Sequence, residues 1–128
     1  MKRRFGVSLS KDLVEKIDEL SRQLGVSRSE LIQDILAEVI EDRSHLLTPH
    51  TCRGVLIVVS RGGNSEVVSR ILERYSCCII TRTHHHAGGV CIDIGLVEGD
   101  SNVILKLENE LRKLRGVGER YLPFYCVR

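Results

Sequence analysis

The sequence predicts an α+β protein in two parts, a short strand with two helices followed by a βαββαβ unit. Three observations carry this reading. Residues 4–9 alternate between polar and apolar, the next two segments place apolar residues three and four apart, and beyond Pro49 β-branched and glycine-punctuated runs alternate with two further helical patterns.

In Arg4-Phe5-Gly6-Val7-Ser8-Leu9 the period of two gives a strand with Phe5, Val7 and Leu9 on its apolar face and Arg4, Gly6 and Ser8 on the other. Ser10 can cap a helix running to about Leu24, with Leu13, Ile17, Leu20 and Leu24 as its stripe and Gly25 as its C-terminal stop. A second helix starts at a capping box, Ser27 with Glu30, in which each side chain satisfies the other residue's backbone N–H. It carries Leu31, Ile32, Ile35, Leu36, Val39 and Ile40 and ends near Arg43. A segment of about 43 residues lies near the lower limit for an independent core, so a twin chain is expected to cover that stripe. Ser44 to Arg53, with Pro49 and mixed polar residues, reads as a connection. The expected division is a head over 1–45, a linker over 46–53 and a second domain over 54–128.

Val55 to Val59 is a continuous β-branched and apolar strand, and Asn64 to Tyr75 is helical in period, with Val67, Val68, Ile71 and Leu72 on one side. Cys78–His84 and Val90–Val97 read as a hairpin around Ala87-Gly88-Gly89, whose glycines tolerate positive φ. Asp100 or Ser101 can cap a helix carrying Val103, Ile104, Leu107, Leu111 and Leu114. Gly116 ends it, and Val117 to Tyr125 is a weaker last strand. The order βαββαβ is the ferredoxin-like split unit, a fold that serves many functions and names no ligand.

Composition restricts the class. With 42% apolar and 28% charged residues in 128, the chain has the balance of a soluble globular protein. No apolar run approaches a membrane span, and the start lacks a signal-peptide core, so a cytoplasmic location is expected. Five cysteines (Cys52, Cys77, Cys78, Cys91 and Cys126) form no regular framework and read as thiols or metal ligands. No nucleophile stands beside a positioned base, so an enzyme is not expected. The net charge of +2 announces no nucleic acid, but Lys2, Arg3, Arg4 and Lys11 give the first eleven residues four positive charges and no negative one.

A strand paired with its two-fold mate makes a ribbon that fits a DNA major groove. Arg4 can donate two hydrogen bonds to a guanine edge, Ser8 can pair with several bases, and Gly6 lets the backbone approach closely. The start of the second helix, with its free N–H groups and the Ser27, Arg28 and Ser29 side chains, would meet phosphates. A basic N-terminus alone is often merely solvated. Here the strand, the two helices, the Gly-Val-Ser-Arg-Ser-Glu junction and the need for a partner agree. The first 43 residues resemble the ribbon-helix-helix superfamily. The resemblance implies a head that dimerises and binds the palindromic half-sites of a double-stranded DNA operator.

Thr83-His84-His85-His86-Ala87-Gly88-Gly89-Val90-Cys91 gathers three histidines and a cysteine around a turn. His84 and His86 share one face of a strand, and the turn can bring Cys91 back towards them. Mixed N and S donors suit nickel, copper or zinc. A planar arrangement selects Ni2+ or Cu2+, a tetrahedron Zn2+. An isolated H-x-H on an exposed strand is commonly polar surface, but a following cysteine and a DNA-binding head change its context. From Arg4 to about Leu122 the chain resembles the nickel-responsive transcriptional regulators, the NikR family.

That resemblance implies an ACT-like sensing domain with His84, His86 and Cys91 as metal ligands, a homotetramer of two head dimers, and repression strengthened by metal. It also implies a second, potassium-like cation (K+) at Glu30 and Asp34, which share a helical face; read alone, Glu30 is a capping residue and Asp34 solvated surface. The sequence departs from the family pattern in three places. Four residues separate His86 from Cys91, one fewer than the family places there. The segment Glu73-Arg74-Tyr75-Ser76-Cys77-Cys78 holds no histidine where the family draws a fourth ligand from a neighbouring subunit, which leaves Cys77, Cys78 or Glu73 as candidates. The loop after the first sensing-domain strand, Ser60-Arg61-Gly62-Gly63-Asn64, lacks a histidine too. A different reading makes the ACT-like domain a small-molecule effector sensor with surface histidines. A third makes the chain an antitoxin-like DNA binder, for which the folded C-terminal half is unusual.

Overall fold

The computed structural model describes residues 1–44 and 47–124. His45 and Leu46 of the expected linker, Tyr125 of the expected last strand, and Cys126 lie outside these residues. The chain forms two compact units, Met1–Glu41 and Asp42–Arg128.

In the first unit α1 is Lys11–Leu24, and α2, Arg28–Ser44, continues past the unit's boundary. Ser10 Oγ accepts from the Leu13 N–H at 3.2 Å. Gly25 adopts φ 68°, so its N–H and that of Val26 turn back to the Arg22 and Ser21 carbonyls at 3.3 and 3.1 Å, satisfying acceptors that the helix end leaves free. The capping box forms as the sequence predicts. The Glu30 N–H donates to Ser27 Oγ at 3.1 Å and the Ser27 N–H to Glu30 Oε2 at 3.4 Å. The strand expected over Arg4–Leu9 is not formed in the single chain. Residues 1–10 join no ladder, and Phe5 and Val7 are 84% and 71% exposed. One strand cannot satisfy its own N–H and C=O groups or cover its own apolar face. Leu13, Leu20 and Leu24 of α1 and Ile35, Leu36, Val39 and Ile40 of α2 are likewise exposed.

The second unit contains β1 (Thr51–Arg61), a short 3-10 turn (Gly62–Asn64), α3 (Ser65–Arg74), β2 (Ile79–Ala87), β3 (Val90–Asp100), α4 (Ser101–Arg112) and β4 (Val117–Pro123). The four strands form one antiparallel sheet in the order β2-β3-β1-β4. Each helix therefore links two strands that have a third between them, which is the ferredoxin-like arrangement. Both helices cover one sheet face: Val68, Ile71 and Leu72 of α3 and Ile104, Leu107 and Leu111 of α4 join Cys52, Leu56, Val58, Val97 and Tyr121 in a single core. On the opposite face Val59, Ile94, Leu96 and Leu122 are exposed.

Several boundaries differ from expectation. β1 begins at Thr51, so residues read as linker belong to the sheet: Cys52 pairs with Gly99 and Arg53 with Glu98, and the same pairing carries β3 on to Asp100. His50 anchors the strand's start, its carbonyl accepting from the Ser101 N–H at 2.9 Å. β2 continues to Ala87, which pairs with Val90, leaving a two-residue turn of Gly88 and Gly89 at φ 57° and 80°. A two-residue hairpin of this kind needs positive φ at both positions, which only glycine adopts at little cost. Asp100 proves to be the α4 cap, accepting from the Asn102 N–H at 2.8 Å.

Candidate functional site

The site grows from the β2–β3 hairpin. With a two-residue turn, His86 lies directly opposite Cys91 and His84 opposite Asp93. Directly opposed residues of an antiparallel ladder project to the same side. His84, His86, Cys91 and Asp93 therefore share one face, whereas His85 faces the other way opposite Ile92. The short spacing between His86 and Cys91 thus brings the two donors together. Cys91 Sγ lies 3.4 Å from His86 Nδ1, and the His84 and His86 rings stand edge to face with centroids 4.8 Å apart. One donor atom from each of His84, His86 and Cys91 falls within 4.8 Å of the others.

The 3.4 Å between Cys91 Sγ and His86 Nδ1 suits two ligands of one ion, and His84 stands close enough to join them by a small side-chain rotation. Donors held at about 2.0 Å (N) and 2.3 Å (S) are separated by about 3.0 Å at a right angle and about 3.5 Å at a tetrahedral one. Two imidazoles and a thiolate are donors that Ni2+, Cu2+ and Zn2+ accept, whereas Mg2+ and Ca2+ prefer oxygen. His84 and His86 are exposed and Cys91 is half-buried, so the donors are accessible from solvent.

Asp93, which the sequence reading missed, sits beside the trio. It is 2% exposed, and its Oδ1 lies 2.9 Å from His84 Nδ1 and accepts from Arg82 Nε at 3.0 Å. A charged residue between Ile92 and Ile94, two positions past Cys91, was the available signal.

The candidates for a fourth donor separate. Cys78 is a core residue whose thiol is pushed up by burial and then by Cys77, and it donates to the Tyr75 carbonyl at 3.2 Å. Cys77 and Glu73 are exposed. Cys77 precedes β2 at the end remote from His84 and His86. At about 3.3 Å per residue, β2 carries His84 roughly 16 Å beyond Ile79, so Cys77, which precedes the strand, is out of reach within one chain.

In the head, Arg4, Gly6 and Ser8 are exposed. Ser27 is engaged in the capping box and Ser29 is exposed. Arg28 is also exposed and pairs with Asp18, Nε to Oδ1 at 2.7 Å. Glu30 closes the capping box, and Asp34 is exposed one turn further along α2.

Comparison with known proteins joins these parts. Residues 3–43 match the model of the "Ribbon-helix-helix protein, copG family". Proteins named "Putative nickel-responsive regulator" are similar along most of the chain. That of Dictyoglomus thermophilum is 31% identical and that of Pyrococcus furiosus 29%, each over 89% of this chain and over 88% and 86% of the relative. An uncharacterized protein of Thermotoga maritima matches in structure with a TM-score of 0.55 at 19% identity, over 58% of this chain and 98% of its own, which bears on the fold alone.

A ribbon-helix-helix head joined to an α+β domain defines a transcription regulator of the DNA-binding, dimerising kind, not an enzyme. No helix among the described residues is long and apolar enough to cross a membrane. The chain belongs to the nickel-responsive regulator family.

Proposed function

We propose that this protein is a metal-responsive repressor of the nickel type, whose affinity for its operator rises when His84, His86 and Cys91 hold a transition-metal ion. The observation that carries the reading is the convergence of those three donors within 4.8 Å on one hairpin face. Held by His84, His86 and Cys91, an ion would tie the end of β2 to the start of β3, and the chain so held would be the arrangement that suits DNA. Linkage requires that an arrangement which binds the ion more tightly and also binds DNA more tightly couples the two by one shared factor, commonly about 1 to 3 kcal/mol.

The chain's own groups divide the work on DNA. Arg4 reads a guanine edge, Gly6 admits the backbone and Ser8 adapts to its base, while Ser27, Arg28 and Ser29 at the start of α2 grip phosphate. Two heads pair through their strands over palindromic half-sites, and the second domain assembles two such pairs into a homotetramer. Glu30 and Asp34 offer carboxylates to a potassium-like cation. A fourth ligand to the transition metal comes from a second copy, with Cys77 and Glu73 as the accessible donors of the segment before β2.

A titration tests the metal reading. Adding Ni2+ to the full chain should produce a thiolate charge-transfer band and raise operator affinity, and Cys91→Ala should abolish the band. No band, together with unchanged DNA affinity, would refute it and leave a small-molecule effector as the signal. On the DNA side, Arg4→Ala should cost about 1 to 3 kcal/mol on the operator and relax preference at one base pair, while Arg28→Ala weakens all sequences and flattens the salt dependence. Equal losses on operator and random DNA for Arg4→Ala would exclude base reading by Arg4.

A further inference from the structure

An imidazole binds a metal only through the nitrogen that carries no proton, so a histidine ligand must be held in the right tautomer. Asp93 lies opposite His84 in the ladder, with its Oδ1 2.9 Å from His84 Nδ1. A carboxylate can only accept, so the nitrogen facing it is the one that carries the proton, leaving the Nε2 lone pair free. The arrangement is built rather than incidental. Asp93 is buried, Arg82 Nε donates to the same Oδ1 at 3.0 Å, and Arg82 Nη2 donates to Ser69 Oγ of α3 at 2.8 Å. Arg82 supplies the opposite charge that a buried carboxylate needs, and Ser69 fixes the guanidinium from the helix above. Asp93 Oδ2, by contrast, is buried without a hydrogen-bond partner among the described residues, so Oδ1 alone takes both the arginine and the imidazole. His86 is set differently, its Nδ1 facing Cys91 Sγ.

We propose that Asp93, held by Arg82 and Ser69, is a positioning residue that locks His84 in the Nδ1–H tautomer and presents Nε2 to the metal. The presentation of Nε2 rests on the metal reading above. The lock itself is a property of the metal-free chain. It makes Ser69–Arg82–Asp93–His84 a continuous line of hydrogen bonds from α3 to the hairpin, so displacement of α3 would alter the donor.

The test is two-bond proton–nitrogen correlation NMR on the full, metal-free protein at about pH 8, above the ordinary histidine range. His84 is expected with its proton on Nδ1. In the double variant Arg82→Met with Asp93→Leu, which removes both charges and leaves neither buried alone, His84 should revert to the Nε2–H form favoured by free histidine. Ni2+ affinity should fall by about 10- to 100-fold, as for other outer partners of histidine ligands, with the circular dichroism spectrum retained. A His84 protonated on Nε2 in the wild-type protein overturns the lock, and needs no variant to fold. A folded double variant that binds Ni2+ as tightly as the wild type overturns the positioning role. Failure of the wild type to bind Ni2+, Cu2+ or Zn2+ at all overturns the metal reading instead, so the two failures are distinguishable.

Discussion

Glu108 and Glu119 are both buried, and Arg112 bridges them, its Nη2 2.7 Å from Glu108 Oε2 and its Nε 2.6 Å from Glu119 Oε1. One guanidinium cannot compensate two carboxylates removed from water. Burial first, and then the neighbouring Glu119, push the Glu108 carboxyl from 4.5 up to about 7 against the pull of Arg112. A carboxyl whose pKa is raised by folding binds its proton more tightly in the native state. Its stabilisation is therefore fully present below the unfolded value and is lost as pH rises through the folded one. Stability measured by urea denaturation should fall between about pH 5 and pH 8, and Glu108→Gln should flatten that fall, gaining on the order of 1 to 3 kcal/mol at the upper end. A wild-type stability that is flat or rises over this window would remove Glu108 as its cause.

At the scale of elements, the hairpin turn decides whether the donors meet. Gly89 adopts φ 80°, and a Cβ added there would touch nothing within 4 Å, so a side chain would meet backbone strain and no steric clash. Gly89→Ala should cost about 1 to 2 kcal/mol, the usual penalty for a left-handed L-residue. The thermal midpoint reports that cost, and the metal affinity of the variant should fall with it, because opening the turn separates His86 from Cys91. A midpoint equal to that of the wild type would mean that the turn relaxes into another conformation.

For the whole molecule, the exposed apolar residues among those described include the head's Phe5, Val7 and helix stripes, and Val59, Ile94, Leu96 and Leu122 of the open sheet face. Apolar patches of this kind mark association. The proposed tetramer uses the first for head pairing and the second for joining pairs. Leu96→Glu should accordingly reduce the sedimenting species from tetramer to dimer and leave operator half-site recognition in place, whereas Val7→Glu should abolish specific DNA binding. A Leu96→Glu protein that still sediments as a tetramer would place the second interface elsewhere.

The sequence by itself determined the kinds of elements and the chemistry of the donors. Capping at Ser10, Ser27 and Gly25 and the stripes of α1 and α2 are legible because they depend on residues three or four positions apart. The trio of His84, His86 and Cys91 was legible because a glycine turn announces the return of the chain. Strand ends were read less well. Thr51–Arg53 resembles linker until Gly99 and Glu98 pair with Cys52 and Arg53, and Arg4–Leu9, read as a strand, forms none in the single chain. Only the tertiary structure decided that Asp93 stands at His84, that Arg82 reaches Ser69, that Glu108 meets Glu119, and that Cys78 belongs to the core while Cys77 faces solvent. Each of these depends on which strands lie side by side and which sheet face the helices cover. That choice is made by packing the whole apolar set at once, so no local stretch of residues encodes it.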